Sequence, residues 1–491
     1  MSFLSLSFPV FLVATVVAFF LVPKRWQWGV LLLASYVFYA SWGVLSVVLL
    51  LWTTMLHYVG AVTIGKAKNH GKRRAILFFC IVADVGLLFF CKYAAFFSRS
   101  VDEAAVWFGT APPALQLPVI AIVGVSFFTF QAMAYVIDVY RGTSAPERSL
   151  GILALSFAFF PKILQGPIER AGHLHAQLRA GHAFHATRVF EGLRLMLWGF
   201  FQKIVIANQA AIVVSQVYAA PESFSGSALL FVTYLFTFQI YADFAGYTDI
   251  ARGVARIFGI DLLQNFDRPY AATSIADFWR RWHLTLSFWF RDYVYIPLGG
   301  NRLSLPYWCG AILIIFLLSG LWHGAAWTFV VWGCIHGLSI ILDRLLQPVG
   351  AFLDTHLFHR SFLRVRHACS VLLTFHILVF SWVFFRAQTL ADAFLIVRKI
   401  FTELPAFVSH IESDTFATVT KGFVIDSLDV LILVACVAFF MFVEHARAFP
   451  VAVARFTALP TWIRWGAYYV VILLILTFGR FEIQPFIYFQ F

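Results

Sequence analysis

LSLPYWCGAILIIFLLSGLWHGAAWTFVVWGCIHGLSIIL, residues 303–342, runs from Arg302 to Asp343 without a single Asp, Glu, Lys or Arg. A membrane-crossing helix needs about 20 apolar residues, so this run is long enough to cross twice and has no place in a water-soluble fold. Outward from it, further apolar runs fall at Phe8–Val22, Trp28–Ile64, Ala75–Cys91, Leu117–Ile137, Ile204–Ala220, Ala228–Asp249, Val371–Phe385, Leu428–Val443 and Trp465–Phe478. They are continuous, whereas a β-barrel would show short alternating segments. The expectation is an all-α polytopic membrane protein with roughly 10–12 transmembrane or re-entrant helices.

Composition agrees. The 491 residues are 61% hydrophobic and 12% charged, where soluble chains carry about 25% charged residues. The formal net charge of +12 is explained by topology and anionic lipid, so membrane lipids are expected partners and nucleic acid is not. Lys24, Arg25, the cluster Lys66, Lys68, Lys72, Arg73 and Arg74, and the stretch Arg141–Lys203 are expected on the cytoplasmic side, with Asp102 and Glu103 opposite. The first apolar run has no basic residues before it and no small-residue cleavage pattern after it, so it reads as a retained helix. Cys80, Cys91, Cys309, Cys334, Cys369 and Cys436 lack metal-ligand spacing and read as buried free thiols, with no metal site. No repeat or low-complexity linker divides the chain, which is expected to be a single membrane domain over 1–491.

Two stretches interrupt the apolar rhythm. Arg141–Arg194 is basic and contains FFPKILQGPIER at Phe159–Arg170, while Asp261–Arg302 mixes charges with aromatics. Irregular backbone at membrane depth survives only when buried in protein or lining a cavity, so a pathway or active site belongs there. Within the second stretch, helical spacing predicts an interfacial amphipathic helix over 277–293. Trp279, Trp282, Leu286, Trp289, Phe290 and Tyr293 share one face, and Arg280, His283, Ser287 and Arg291 converge on the adjoining one. Such a helix either lies at the headgroup level with its arginines on phosphates or walls a chamber where cations hold an anionic donor group.

His323 sits close to the midpoint of the opening run, where an ionisable residue is a functional candidate because hydrocarbon disfavours it. Burial disfavours a charged imidazolium, leaving a ring able to accept a proton as a general base. Two other readings stand beside this one: a hydrogen bond to a neighbouring helix, or a proton relay in a transporter. Ser319, Gly320, Gly324, Ala325 and Ala326 allow close helix approach and let the helix break. His336 lies thirteen residues on, roughly 20 Å along a continuous helix, and reads as structural on a different face.

DFWRRWHLTLSFWFRDYVYIPLGGNR at Asp277–Arg302 and SGLWHGAAW at Ser319–Trp327 resemble the membrane-bound O-acyltransferases, in the branch that contains bacterial alginate O-acetyltransferase and the teichoic-acid D-alanyl transferase. SYVFYASWG at Ser35–Gly43, VGVSFFTFQAMAYVIDVYRG at Val123–Gly142, FPKILQGPIER at Phe160–Arg170, YADFAGYTDIARG at Tyr241–Gly253 and QNFDRPY at Gln264–Tyr270 extend the likeness over nearly the whole chain. The resemblance implies a bundle around a central membrane-embedded funnel in the cell inner membrane, with His323 as the signature histidine and His283 as the second. It also places Asp277, Arg280, Ser287, Arg291, Trp322 and Asn265 as candidate substrate-binding residues.

No bound cofactor is implied; an acyl thioester such as acetyl-CoA would be a substrate, entering from the cytoplasm and serving an extracytoplasmic acceptor. Chain length and the ending FIYFQF favour the alginate-acetylation type, which makes O-acetylated exported polysaccharide with a periplasmic acetyltransferase or SGNH-hydrolase-type partner. D-alanyl or other acyl transfer, and a proton-coupled transporter, remain alternatives. The ending PFIYFQF at 485–491 is similar to the aromatic motif that closes a small peptide of the D-alanylation system, where a tyrosine carries the acyl group. By that likeness Tyr488 is a candidate acyl carrier; the other reading of the motif is an aromatic membrane-interface anchor. A phenol has a pKa near about 10 and needs a base to attack.

Overall fold

The computed structural model describes residues 1–111, 122–356, 363–409, 415–482 and Phe486. Among the described residues every regular element is helical, and nine helices are long and apolar enough to cross a membrane. A shorter apolar helix, Ser7–Leu21, precedes them. Lipid contact is written on their surfaces. Along Thr461–Phe478, for example, Trp462, Tyr469, Val470, Leu473 and Leu476 all point outward, which water would not tolerate as a continuous patch.

The longest apolar runs fold as helix pairs. Residues 28–64 divide into Gln27–Ala40 and Val44–Lys66 around Gly43, whose φ of +118° only glycine adopts readily. The 303–342 run divides into Leu305–His323 and Trp327–His356.

The chain packs as two compact units, one made of Met1–Met196, Thr248–Gln264 and Arg291–Tyr293, the other of Leu197–Tyr247, Asn265–Phe290 and Val294–Phe491. In the first unit, Ser149 caps the Leu150–Ala158 helix by accepting from the Ile152 N–H at 3.3 Å, and Asn69 does the same for His70–Leu88 from Lys72 at 3.1 Å. The fully buried His57 and Asp84 face each other at 2.9 Å between Val44–Lys66 and His70–Leu88. The stretch from Phe159 to Glu169 is buried throughout yet not helical. Lys162 within it bonds the side chain of Gln131, and burial pushes its ammonium down to about 7. His175 bridges Ser156 at 3.1 Å and Glu147 at 3.4 Å, and burial pushes it down to about 4.

In the second unit, Phe201–Ala207 is a wide π-helical turn, all seven residues buried, set between Ala186–Phe200 and Asn208–Ala219. It carries Lys203, which pairs with Asp243 of the Gly226–Ile257 helix. Both side chains are buried.

Candidate active site

The helix pair Leu305–His323 and Trp327–His356 is held at backbone contact by two glycines. A Cβ on Gly320 would lie 2.3 Å from the Phe329 carbonyl oxygen, and one on Gly333 would lie 2.3 Å from that of Phe316. The turn between the helices is Gly324–Ala326, so His323 is the last residue of the first helix and not the midpoint of a continuous span. Its ring is buried at 2% exposure. Trp322 packs at 5.0 Å, Trp332 edge-on at 4.9 Å and Phe385 at 5.4 Å. It faces protein, as a histidine in an apolar chain must.

The hairpin also corrects the reading of His336. A continuous helix would hold it about 20 Å from His323; instead the chain doubles back, and Trp332 touches both rings, His323 at 4.9 Å and His336 at 4.7 Å. The indole N–H of Trp279 donates to His336 Nδ1 at 3.2 Å.

The single helix expected over 277–293 is broken. Ile275–Trp279 and Leu284–Phe290 are separate short helices, followed by a π-helical turn at Arg291–Tyr295. Ser274 caps the first, its Oγ accepting from the Asp277 N–H at 3.1 Å, and Asp277 Oδ2 accepts from the Thr273 N–H just before it at 3.2 Å. His283 begins the second from the left-handed region, at φ +43°, an uncommon conformation for a side chain of this size. The neighbouring strand of chain fixes it there. The Asn265 carbonyl accepts from the Leu284 N–H at 3.0 Å, and Asn265 Oδ1 accepts from the Thr285 N–H and hydroxyl at 3.3 and 2.7 Å.

The break changes what converges. His283 is fully buried against Phe244 at 4.7 Å and Trp322 at 5.6 Å, and burial pushes its imidazole down to about 3. Trp322 therefore contacts both candidate histidines. The expected partners on a shared helical face do not form one. Arg280 is exposed, Ser287 Oγ turns back to the Trp282 carbonyl at 3.2 Å, and Arg291 pairs with Asp292 at 2.6 Å. Asp277 is occupied by Arg281 at 3.1 Å besides its cap. A side chain outside a regular helix no longer obeys the three-to-four spacing that predicted convergence.

Tyr488 lies outside the described residues. Two residues earlier, Phe486 is buried in the second unit: Lys203 Nζ sits 4.2 Å above its ring and Tyr247 meets it edge-on at 4.7 Å. Lys203 enters the sequence reading only as the end of a basic stretch and His336 only as a structural residue, while Asp243 and Trp332 are absent from it. The signal for Asp243 is present, since it interrupts the Ala228–Asp249 run with a charge.

Residues 152–386 match the model of the membrane-bound O-acyltransferase family. The chain is 36% identical over 403 residues to the probable alginate O-acetylase AlgI of Pseudomonas aeruginosa, covering 82% of this chain and 74% of that protein. It is 33% identical over 407 residues to the peptidoglycan O-acetyltransferase of Helicobacter pylori, covering 77% and 73%. A shorter match of 232 residues, 31% identical and covering 45% and 58%, joins it to the teichoic acid D-alanyltransferase of Bacillus subtilis.

Proposed function

This chain belongs to the membrane-bound O-acyltransferase family, and from that we propose that it carries an acetyl group from a cytoplasmic thioester donor such as acetyl-CoA to hydroxyls of an exported or cell-envelope polysaccharide. It is a multi-pass membrane enzyme; we place it in the inner membrane, working with an extracytoplasmic acetyltransferase that sets the group on the polymer. The observation that carries the reading is the buried pair His283 and His323, both in contact with Trp322.

In the proposed step His323 takes the proton of an attacking hydroxyl as the oxygen adds to the thioester carbonyl. The new C–O bond forms, the C–S bond breaks, and the proton passes to the departing thiolate. Tyr488 is the proposed first acceptor, forming a phenolic ester reactive enough to hand the group on. The anchored Phe486 supports this, because it holds the chain inside the unit that contains His323. D-alanyl transfer is the second reading, favoured by the match to the teichoic acid enzyme.

Ester-linked acetate on exported polymers tests the proposal. Wild type and His323→Ala are compared in cells and with radiolabelled acetyl donor in membranes; loss of acetate from one polymer in the variant is expected. Unchanged acetylation in His323→Ala overturns it.

A further inference from the structure

Residues 203–209 hold the segment that follows the Thr461–Phe478 helix at two places. The first is a main-chain clasp. Inside the wide turn the Asn208 N–H reaches back five positions to the Lys203 carbonyl, past the Ile204 carbonyl, which accepts the Arg480 N–H at 3.2 Å instead. The side-chain amides of Asn208 and Gln209 donate to the carbonyls of Arg480 at 2.8 Å and Phe478 at 2.6 Å. Gly479 lets the two segments meet, since a Cβ there would lie 2.7 Å from Ile204 Cγ2. The second hold is on a ring. Phe486 is 3% exposed, with Lys203 Nζ 4.2 Å from its centroid and Tyr247 edge-on at 4.7 Å. A cation over an aromatic face is attracted by the ring quadrupole, and more strongly where water is excluded.

Lys203 is itself held by Asp243, one turn before Tyr247 on the Gly226–Ile257 helix. The same turn reaches the candidate site. Between Asp243 and Tyr247 stands Phe244, whose ring meets His283 at 4.7 Å, and His283 and His323 both contact Trp322. Phe244 and Tyr247 are three positions apart, neighbours on one side of the helix and separated by about 4.5 Å along its axis. One helical turn thus touches the ion pair, the ring of Phe486 and the ring of His283.

We propose that Lys203 and Asp243 are positioning residues for acyl transfer: the ion pair holds Phe486 one helical turn from the His283 contact, and so delivers the acceptor Tyr488, two residues on, to the reaction centre. The inference rests on the reading of Tyr488 as first acceptor and deepens it. Lys203 acts through the ring of Phe486 and not on the reacting atoms. It therefore sets the fraction of time in which the acceptor is in place, and leaves the affinity for the donor alone. The clasp at residues 478–480 fixes where the segment starts, and the cation fixes where it arrives.

The test weakens the hold while keeping the shape of the ring. Phe486 is replaced in the full chain by its mono-, di- and trifluoro analogues, which withdraw charge from the ring face stepwise and barely change its size. The chains are placed in lipid nanodiscs with radiolabelled acetyl-CoA, and hydroxylamine-labile label per folded chain is followed in time. The labelling rate at saturating donor is expected to fall with each fluorine, roughly tenfold across the series, while the half-saturating donor concentration stays constant. Lys203→Arg keeps a cation and is expected to keep the stepwise fall. The double variant Lys203→Met with Asp243→Leu removes both charges without stranding either, and is expected to label slowly whatever the fluorine content. A rate indifferent to fluorine in the otherwise unaltered chain, or the same stepwise fall in the double variant, overturns the positioning role. Full labelling of Tyr488→Phe or His323→Ala overturns the acyl-carrier reading instead, and this inference with it, whatever the fluorine series shows.

Discussion

Asn265 Oδ1 accepts two hydrogen bonds from Thr285, one from its backbone N–H at 3.3 Å and one from its hydroxyl at 2.7 Å. That pairing clamps the chain on the far side of His283, the residue held at φ +43°. Asn265→Ala removes both bonds, an expected loss of about 1–3 kcal/mol. Asn265→Asp keeps the acceptor and is expected to lose less. Thermal unfolding of the two variants in detergent, beside acetyl transfer, checks this; equal stability of Asn265→Ala and wild type would show that His283 is set by something else.

Gly320 and Gly333 give a second prediction. A methyl group at either position would stand 2.3 Å from a carbonyl oxygen of the facing helix, closer than packed atoms come, so the helices must part. Gly320→Ala and Gly333→Ala are each expected to lower stability by about 2 kcal/mol or more. Gly310→Ala, with open space around its Cβ, is expected to be neutral or to stabilise the same helix by about 0.5–1 kcal/mol. A melting series of the three variants decides it.

The buried pair Lys203 and Asp243 supports a third. Removing one partner strands a charge in the interior, so Lys203→Met or Asp243→Asn alone is expected to lose about 3–5 kcal/mol, and the double apolar variant Lys203→Met with Asp243→Leu to recover most of it. A double-mutant cycle in unfolding free energy reads the coupling directly. Additive losses would mean that the two groups do not stabilise one another.

The apolar rhythm made the spans legible because lipid dictates both their length and their composition. Gly324–Ala326 marks where the 303–342 run can break, but these small residues contain no proline and fit a continuous helix as well as a hairpin, so the sequence does not decide between the two. The misplacement of His336 followed from that ambiguity. His283 was legible as a chemical candidate but not as a left-handed residue, because its backbone is set by Asn265, eighteen positions earlier in the sequence. Helical spacing then grouped Arg280, Ser287 and Arg291 with it across a break that spacing alone does not reveal.

The fourth prediction concerns acid. Burial holds His175 neutral, down to about 4, against an unfolded value near 6.5. The unfolded chain therefore binds the extra proton first, and stability contributed by this site falls as pH drops from about 6.5 to about 4. The size is about 3 kcal/mol at most. Glu147 beside it, held below the usual carboxylate range with Arg179 hydrogen-bonded to it despite the opposing effect of burial, adds loss in the same direction at lower pH. His175→Phe is expected to flatten the upper part of this acid limb in a pH series of melting temperatures; a slope identical to wild type between pH 6.5 and 4 would contradict it.

The wide turn at Phe201–Ala207 amounts to an α-helix with one residue inserted. Its two flanks, Ala186–Phe200 and Asn208–Ala219, therefore run out of phase. Each residue of an α-helix advances about 100°, so excising one position inside the turn would restore regular winding only by swinging one flank through about that angle relative to the other. Lys203 would leave Asp243, and the ring of Phe486 would lose the ammonium beneath it. A deletion that shortens the chain by one amino acid here would rotate half a helix's worth of buried side chains out of their seats, while the hydropathy profile would barely register the change.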